Sequence, residues 1–84
     1  DTAPSREFID EVCGIAEGVP GVLGCHDAMA RYYATRIRME IHIVVDPGIT
    51  VRESHGIVDE VVERITSRHG EIDKVLVHVD PRRP

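Results

Sequence analysis

The chain has 84 residues, 42% of them hydrophobic and 30% charged, with a formal net charge of -5. That length makes one small domain that buries only about 60–65% of its unfolded surface, so a metal ion or a partner surface would help to hold it. The acidic balance repels phosphate backbones and argues against nucleic acid, and no apolar run approaches the roughly 20 residues that cross a bilayer, which argues against direct membrane insertion.

The start, Asp1-Thr2-Ala3-Pro4, has neither the basic beginning nor the apolar stretch of a signal peptide. It also lacks Met, so residues 1–84 are expected to be a single domain cut from a longer protein. Cys13 and Cys25 are the only cysteines. They are too few for a disulfide scaffold and fit no zinc-finger spacing, and reduced thiols in a cytosolic setting are expected. Trp is absent, and with Tyr 2 and Phe 1 the chain is poorly equipped to recognise bases or sugars by stacking.

Ser5 can cap a helix with Glu7 in its first turn. Phe8, Ile9, Val12, Cys13 and Ala16 then recur at helical spacing, and Gly18 stops the run. After a turn at Val19-Pro20-Gly21, a weakly patterned strand is expected from Val22 to Tyr33, with Ala34-Thr35 as a hairpin connection. The clearest strand is Arg36–Val45. Ile37, Met39, Ile41, Ile43 and Val45 share one face, and Arg38, Glu40, His42 and Val44 share the other. Thr50-Val51-Arg52-Glu53 reads as a capping box opening a helix to about His69, with His55, Val58, Val62 and Ile65 as one stripe and Gly70 as the stop. A last strand runs from Asp73 to Asp80, with Val75, Val77 and Val79 opposite Leu76, His78 and Asp80.

Helix, strand, strand, helix, strand makes an α+β sandwich of two layers, with both helices on one face of a three-stranded sheet. The apolar sets should face the helices. His42, His78 and Asp80 then fall on the uncovered face or at its edge.

Histidine is the only residue type here that is both common and oddly placed. There are five. His26 stands in Cys25-His26-Asp27, His42 in IHIVVDP, His55 near the start of the second helix, and His78 in VLVHVDP. Neutral imidazoles with a carboxylate are ligands for zinc or another borderline divalent ion, and residues two apart on a strand, such as His78 and Asp80, lie on one face. The plainer reading is that each is a hydrogen-bonded strand or surface residue. His69 fits that plainer reading best, at a helix end where a partly positive ring suits the dipole.

The segments VPGVLGCHD, IHIVVDP, ESH and VHVDP, in that order and spacing, resemble the cytoplasmic C-terminal domain of cation diffusion facilitator transporters, which are divalent metal-ion/proton antiporters. The likeness runs from about Arg6 to Pro81. It implies a metallochaperone-like (ferredoxin-like) fold and a V-shaped homodimer attached to a membrane domain of the same chain. It also implies metal ligation by His26, His42, His55, His78 and Asp80. Magnetosome members of that family carry a carboxylate two residues before the His42 position, which makes Glu40 a further candidate. Copper chaperones of similar fold carry a Cys-x-x-Cys loop that this chain lacks.

The resemblance therefore implies a non-enzymatic, metal-sensing and dimerisation domain. It would lie on the cytoplasmic side of a bacterial inner membrane or a magnetosome membrane. A divalent ion, zinc, iron or manganese in class and zinc in vitro, would bind at the dimer cleft and favour a closed, transport-active state. The alternatives are a stand-alone soluble metal carrier and a purely structural dimerisation module. No nucleophile elbow, phosphate loop or paired nucleophile and base suggests an enzyme.

Overall fold

The computed structural model describes residues 3–84. Its elements are α1 (Arg6–Glu17), β1 (Gly24–Tyr33), β2 (Arg36–Val45), α2 (Val51–Arg68) and β3 (Ile72–Pro81). The strands form one sheet in the order β1-β2-β3, with β1 antiparallel and β3 parallel to the central β2. A parallel neighbour needs a long crossover, and α2 supplies it.

Each helix starts where its sequence says it should. The Ser5 hydroxyl accepts the Phe8 backbone N–H at 3.1 Å. Thr50 and Glu53 cap one another reciprocally, at 3.0 and 2.8 Å. α1 ends as expected at Gly18, and the end of α2 differs. α2 stops at Arg68 with His69 as its cap, and Gly70 takes no left-handed turn. The His69 ring is clamped instead, between Glu11 of α1 at 3.0 Å and Glu71 at 3.5 Å, with Phe8 edge-on to it. Arg36 donates to the carbonyls of Gly70 and Glu71, in the turn between α2 and β3.

The strict alternation of β2 fixes the layers. Ile37, Met39, Ile41, Ile43 and Val45 are buried under the helices, against Ile9, Val12, Ile15 and Ala16 of α1 and Val61 and Ile65 of α2. The expected stripe of α2 is therefore rotated: Val61 joins Ile65 in the core, Ile57 and Val58 pack beside them, and His55 is exposed. The first strand begins at Gly24 rather than Val22, because Val19 to Val22 form a turn whose two end valines are buried. That turn needs Gly21, whose φ is 97° and whose missing Cβ would meet Ile57 Cδ1 at 2.7 Å.

One feature of β1 was not legible in the sequence. His26 pairs with His42 and Met29 with Glu40, so β1 carries one more residue than β2 between these rungs. This is a β-bulge, and Asp27 sits in it with a left-handed φ of 49°. The bulge resets the alternation. His26 and Met29, three apart in sequence, both lie on the uncovered face, while Ala28 is buried under the helices.

Candidate metal centre

The uncovered face is ordered in rows across the strands. His26, His42 and His78 are in register on β1, β2 and β3. Their rings stack: 5.2 Å between the centroids of His26 and His42, and 4.4 Å between those of His42 and His78, at 29° and 19° between planes. The next row toward the hairpin is Met29, Glu40 and Leu76, and the one beyond it Arg31, Arg38 and Lys74. The face thus runs from imidazole to carboxylate to cation within a few rungs.

Carboxylates flank the imidazole row on both sides. Asp80 Oδ2 lies 3.1 Å from His42 Nδ1 and 3.2 Å from His26 Nε2. His26 Nδ1 is in turn 3.0 Å from Asp27. On the other side, His78 Nε2 is 2.9 Å from Glu40. Two groups of potential ligands result, His26–His42–Asp80 and Glu40–His42–His78, each with its ligand atoms within 4.8 Å of one another. His26, Asp27, His42 and Asp80 line an open hollow of about 380 Å³, so an ion has access from solvent. The site carries the two-imidazole, one-carboxylate donor set of borderline divalent ions, with positions left for water or another ligand.

The contacts of His26 favour a cation. A neutral imidazole has one N–H. If it is donated to Asp27, the bare Nε2 lone pair faces the Asp80 oxygen, and only a proton or a metal ion between them makes that approach attractive. Asp80 is prepared for the same role. The hydrogen bond from His42, helped by the charge of the His42 and His26 rings, holds its carboxyl below the usual range against a lesser effect of burial.

Of the candidate residues, the structure brings together His26, His42, His78, Asp80 and Glu40 and leaves His55 apart, exposed on α2 and in neither group. Cys25 turns away from the row. It pairs with the buried Ile43 on the helix side, and burial, then its neighbour Cys13, push its thiol well above the ordinary range. Asp27 is the residue that sequence reasoning passed over. The Cys25-His26-Asp27 segment drew notice for its histidine, but only the bulge reveals that the aspartate braces it.

Residues 4–82 match the sequence profile of the cytoplasmic domain of cation efflux proteins. The chain is 31% identical over 81 residues to the cation-efflux pump FieF of Shigella flexneri, covering 96% of this chain and 27% of that one. It is 44% identical over 55 residues to the transporter YdbO of Bacillus subtilis, covering 66% of this chain and 19% of that one. Among solved structures, a manganese form of a MamM CTD variant superposes with a TM-score of 0.85 at 32% identity, covering 93% of this chain and 100% of that one. A cadmium form of another variant gives 0.87 at 31%, covering 93% and 98%. The chain thus spans about a quarter or less of the curated relatives it matches, and it shares the metallochaperone-like fold of the MamM domains. Row geometry, fold and sequence agree: the chain belongs to the cation efflux protein family, as its cytoplasmic domain.

Proposed function

We propose that this domain senses divalent cations for a cation efflux transporter, as a homodimer joined to the membrane domain of the same longer chain. The observation that carries the reading is the Asp80 oxygen held within 3.2 Å of nitrogens from both His26 and His42. His26, His42 and Asp80 form the principal ligand group, and Glu40 and His78 the adjoining one. His55 is exposed on α2 and belongs to neither group, so it is assigned to a site completed by a second copy. Manganese, cadmium and nickel forms of the similar MamM domains support a broad divalent specificity in vitro.

The uncovered sheet face also supports dimerisation. It exposes Met29 and Leu76 on either side of Glu40, and Tyr33 beyond the row of cations. An acidic domain repels its own copy. A divalent ion at facing rows removes that repulsion, and it stabilises the closed form only by its preference for closed over open. Closure on the cytoplasmic side of the membrane would favour transport.

Zinc titration of the purified domain, followed by heat and by solution scattering, tests this against a variant of the histidine common to both groups, His42→Ala. Saturable binding with a more compact dimer, weakened in the variant, is expected. Absence of binding, or binding with no change of shape, would leave a structural dimerisation module.

A further inference from the structure

We infer that Cys13 and Cys25 form a redox-active pair, which hydrogen peroxide closes into a disulfide joining α1 to the start of β1. The pair lies on the helix side of the sheet, away from the imidazole row, and the inference does not depend on metal binding.

Three relationships bring the two sulfurs together. Cys25 pairs with Ile43, whose side chain is wholly buried under the helices, so Cys25 faces α1 as Ile43 does. The Cys25 backbone N–H donates to Glu17 Oε2 at 3.1 Å. Glu17 stands one turn beyond Cys13 on α1, and residues four apart share a helix face. The contact with Glu17 therefore lays the Cys13 side of α1 against Cys25, and the Cys13 thiol is close enough to hydrogen-bond the Cys25 thiol. Both side chains pack against the core and both keep partial exposure, enough for a small uncharged oxidant to reach them. No other cysteine exists in the chain to compete for either sulfur.

The chemistry balances with the peroxide alone. One sulfur attacks a peroxide oxygen as its thiolate. The O–O bond breaks, the departing hydroxide takes up the thiol proton as water, and a sulfenic acid remains. The second sulfur then attacks the first. The S–S bond forms, the S–O bond breaks, and the oxygen leaves as a second water. The sulfurs lose two electrons in all, and the peroxide gains them. Thiol exchange with a reducing pool restores the dithiol. Disulfides that form in the cytosol are usually transient and catalytic or redox-sensing, and a pair that meets without any disulfide framework around it suits that use. The bond would close a loop over residues 14–24 and restrict the unfolded chain. It would also tie α1 to the residue just before His26, at the root of the strand that carries one end of the imidazole row.

Hydrogen peroxide is the probe, applied to the purified domain after a chelator has removed metal. The oxidised domain is then unfolded and treated with iodoacetamide. Its mass should fall by two hydrogen atoms, neither cysteine should be alkylated, and a digest should contain one peptide pair joined through Cys13 and Cys25 that dithiothreitol separates. The oxidised domain should melt several degrees above the reduced one, because the bond constrains the unfolded state. Cys13→Ala and Cys25→Ala, each shown to be folded by circular dichroism, should lose that rise. Full alkylation of both thiols after peroxide treatment would overturn the inference, and so would a disulfide found only between separate chains. A lower Tm on oxidation would mean that the bond distorts the native packing, and would overturn it equally.

Discussion

Asp27 and His26 are chain neighbours whose side chains bond to one another, Oδ2 to Nδ1 at 3.0 Å, although neighbours on a regular strand point to opposite faces. The left-handed φ of Asp27 in the bulge makes this possible. A carboxylate behind a ligand histidine fixes its tautomer and raises its basicity, and loss of such a partner lowers metal affinity about 10–100-fold. Asp27→Ala should show a loss of that order in zinc titration calorimetry, at unchanged stoichiometry. An unchanged affinity would reduce Asp27 to a surface residue.

Affinity should fall on acidification because of the imidazoles and not the carboxylate. Ligand histidines must be neutral, and protonation competes with metal as pH drops through about 6.5. Asp80 is held below its usual range, so it remains charged throughout that interval. Competition titrations from pH 8 to 5.5 should show a steep decline below about pH 7. A flat profile would remove histidine from the site.

The same shift has a consequence for the metal-free fold. A carboxylate with a lowered pKa stabilises the folded state above its unfolded value, about 3.9, and the contribution vanishes as pH falls through the lowered value. The difference in urea midpoint between the unaltered domain and Asp80→Asn should therefore be present at pH 5 and shrink toward zero under strong acid.

Cys25 should be a poor nucleophile. Burial and Cys13 raise its pKa, so the thiolate is scarce at neutral pH. Alkylation by iodoacetamide at pH 7.5 should be much slower at Cys25 than at a free thiol in the unfolded chain, as peptide mass mapping would reveal. Rapid labelling would contradict the buried orientation.

The Ala34-Thr35 connection carries a removable strain. Ala34 has a φ of 56°, a conformation glycine adopts freely. Ala34→Gly should stabilise the domain by about 0.5–1 kcal/mol, a rise of several degrees in Tm for a domain of this size. A lowered Tm would mean that the turn tolerates alanine without strain.

The sequence conveyed the layers well because β2 is strictly alternating, and Ser5 and Thr50-Glu53 mark the helix starts chemically. It conveyed the helix ends unevenly: Gly18 caps α1 as its position suggests, but α2 is capped by His69, held through contacts remote in sequence, and not by Gly70. The imidazole row was half legible. His42, His78 and Asp80 follow from strand alternation, but β1 has no clear period, and placing His26 opposite His42 depends on a bulge that no residue pattern announces. The separation of His55 from the row was equally hidden, because it depends on how α2 rolls over the sheet.

The bulge can also be considered by subtraction. Without Asp27, Ala28 would lie opposite Ile41, and His26 and Met29 would keep their present partners, His42 and Glu40. The two strands would become a continuous ladder with the same core and no left-handed residue within β1. Folding therefore has no need of this position, and a chain shortened there should be at least as stable. What it would lose is the brace on one imidazole. Length itself, one residue more than the sheet requires, is in this sense part of the proposed metal centre.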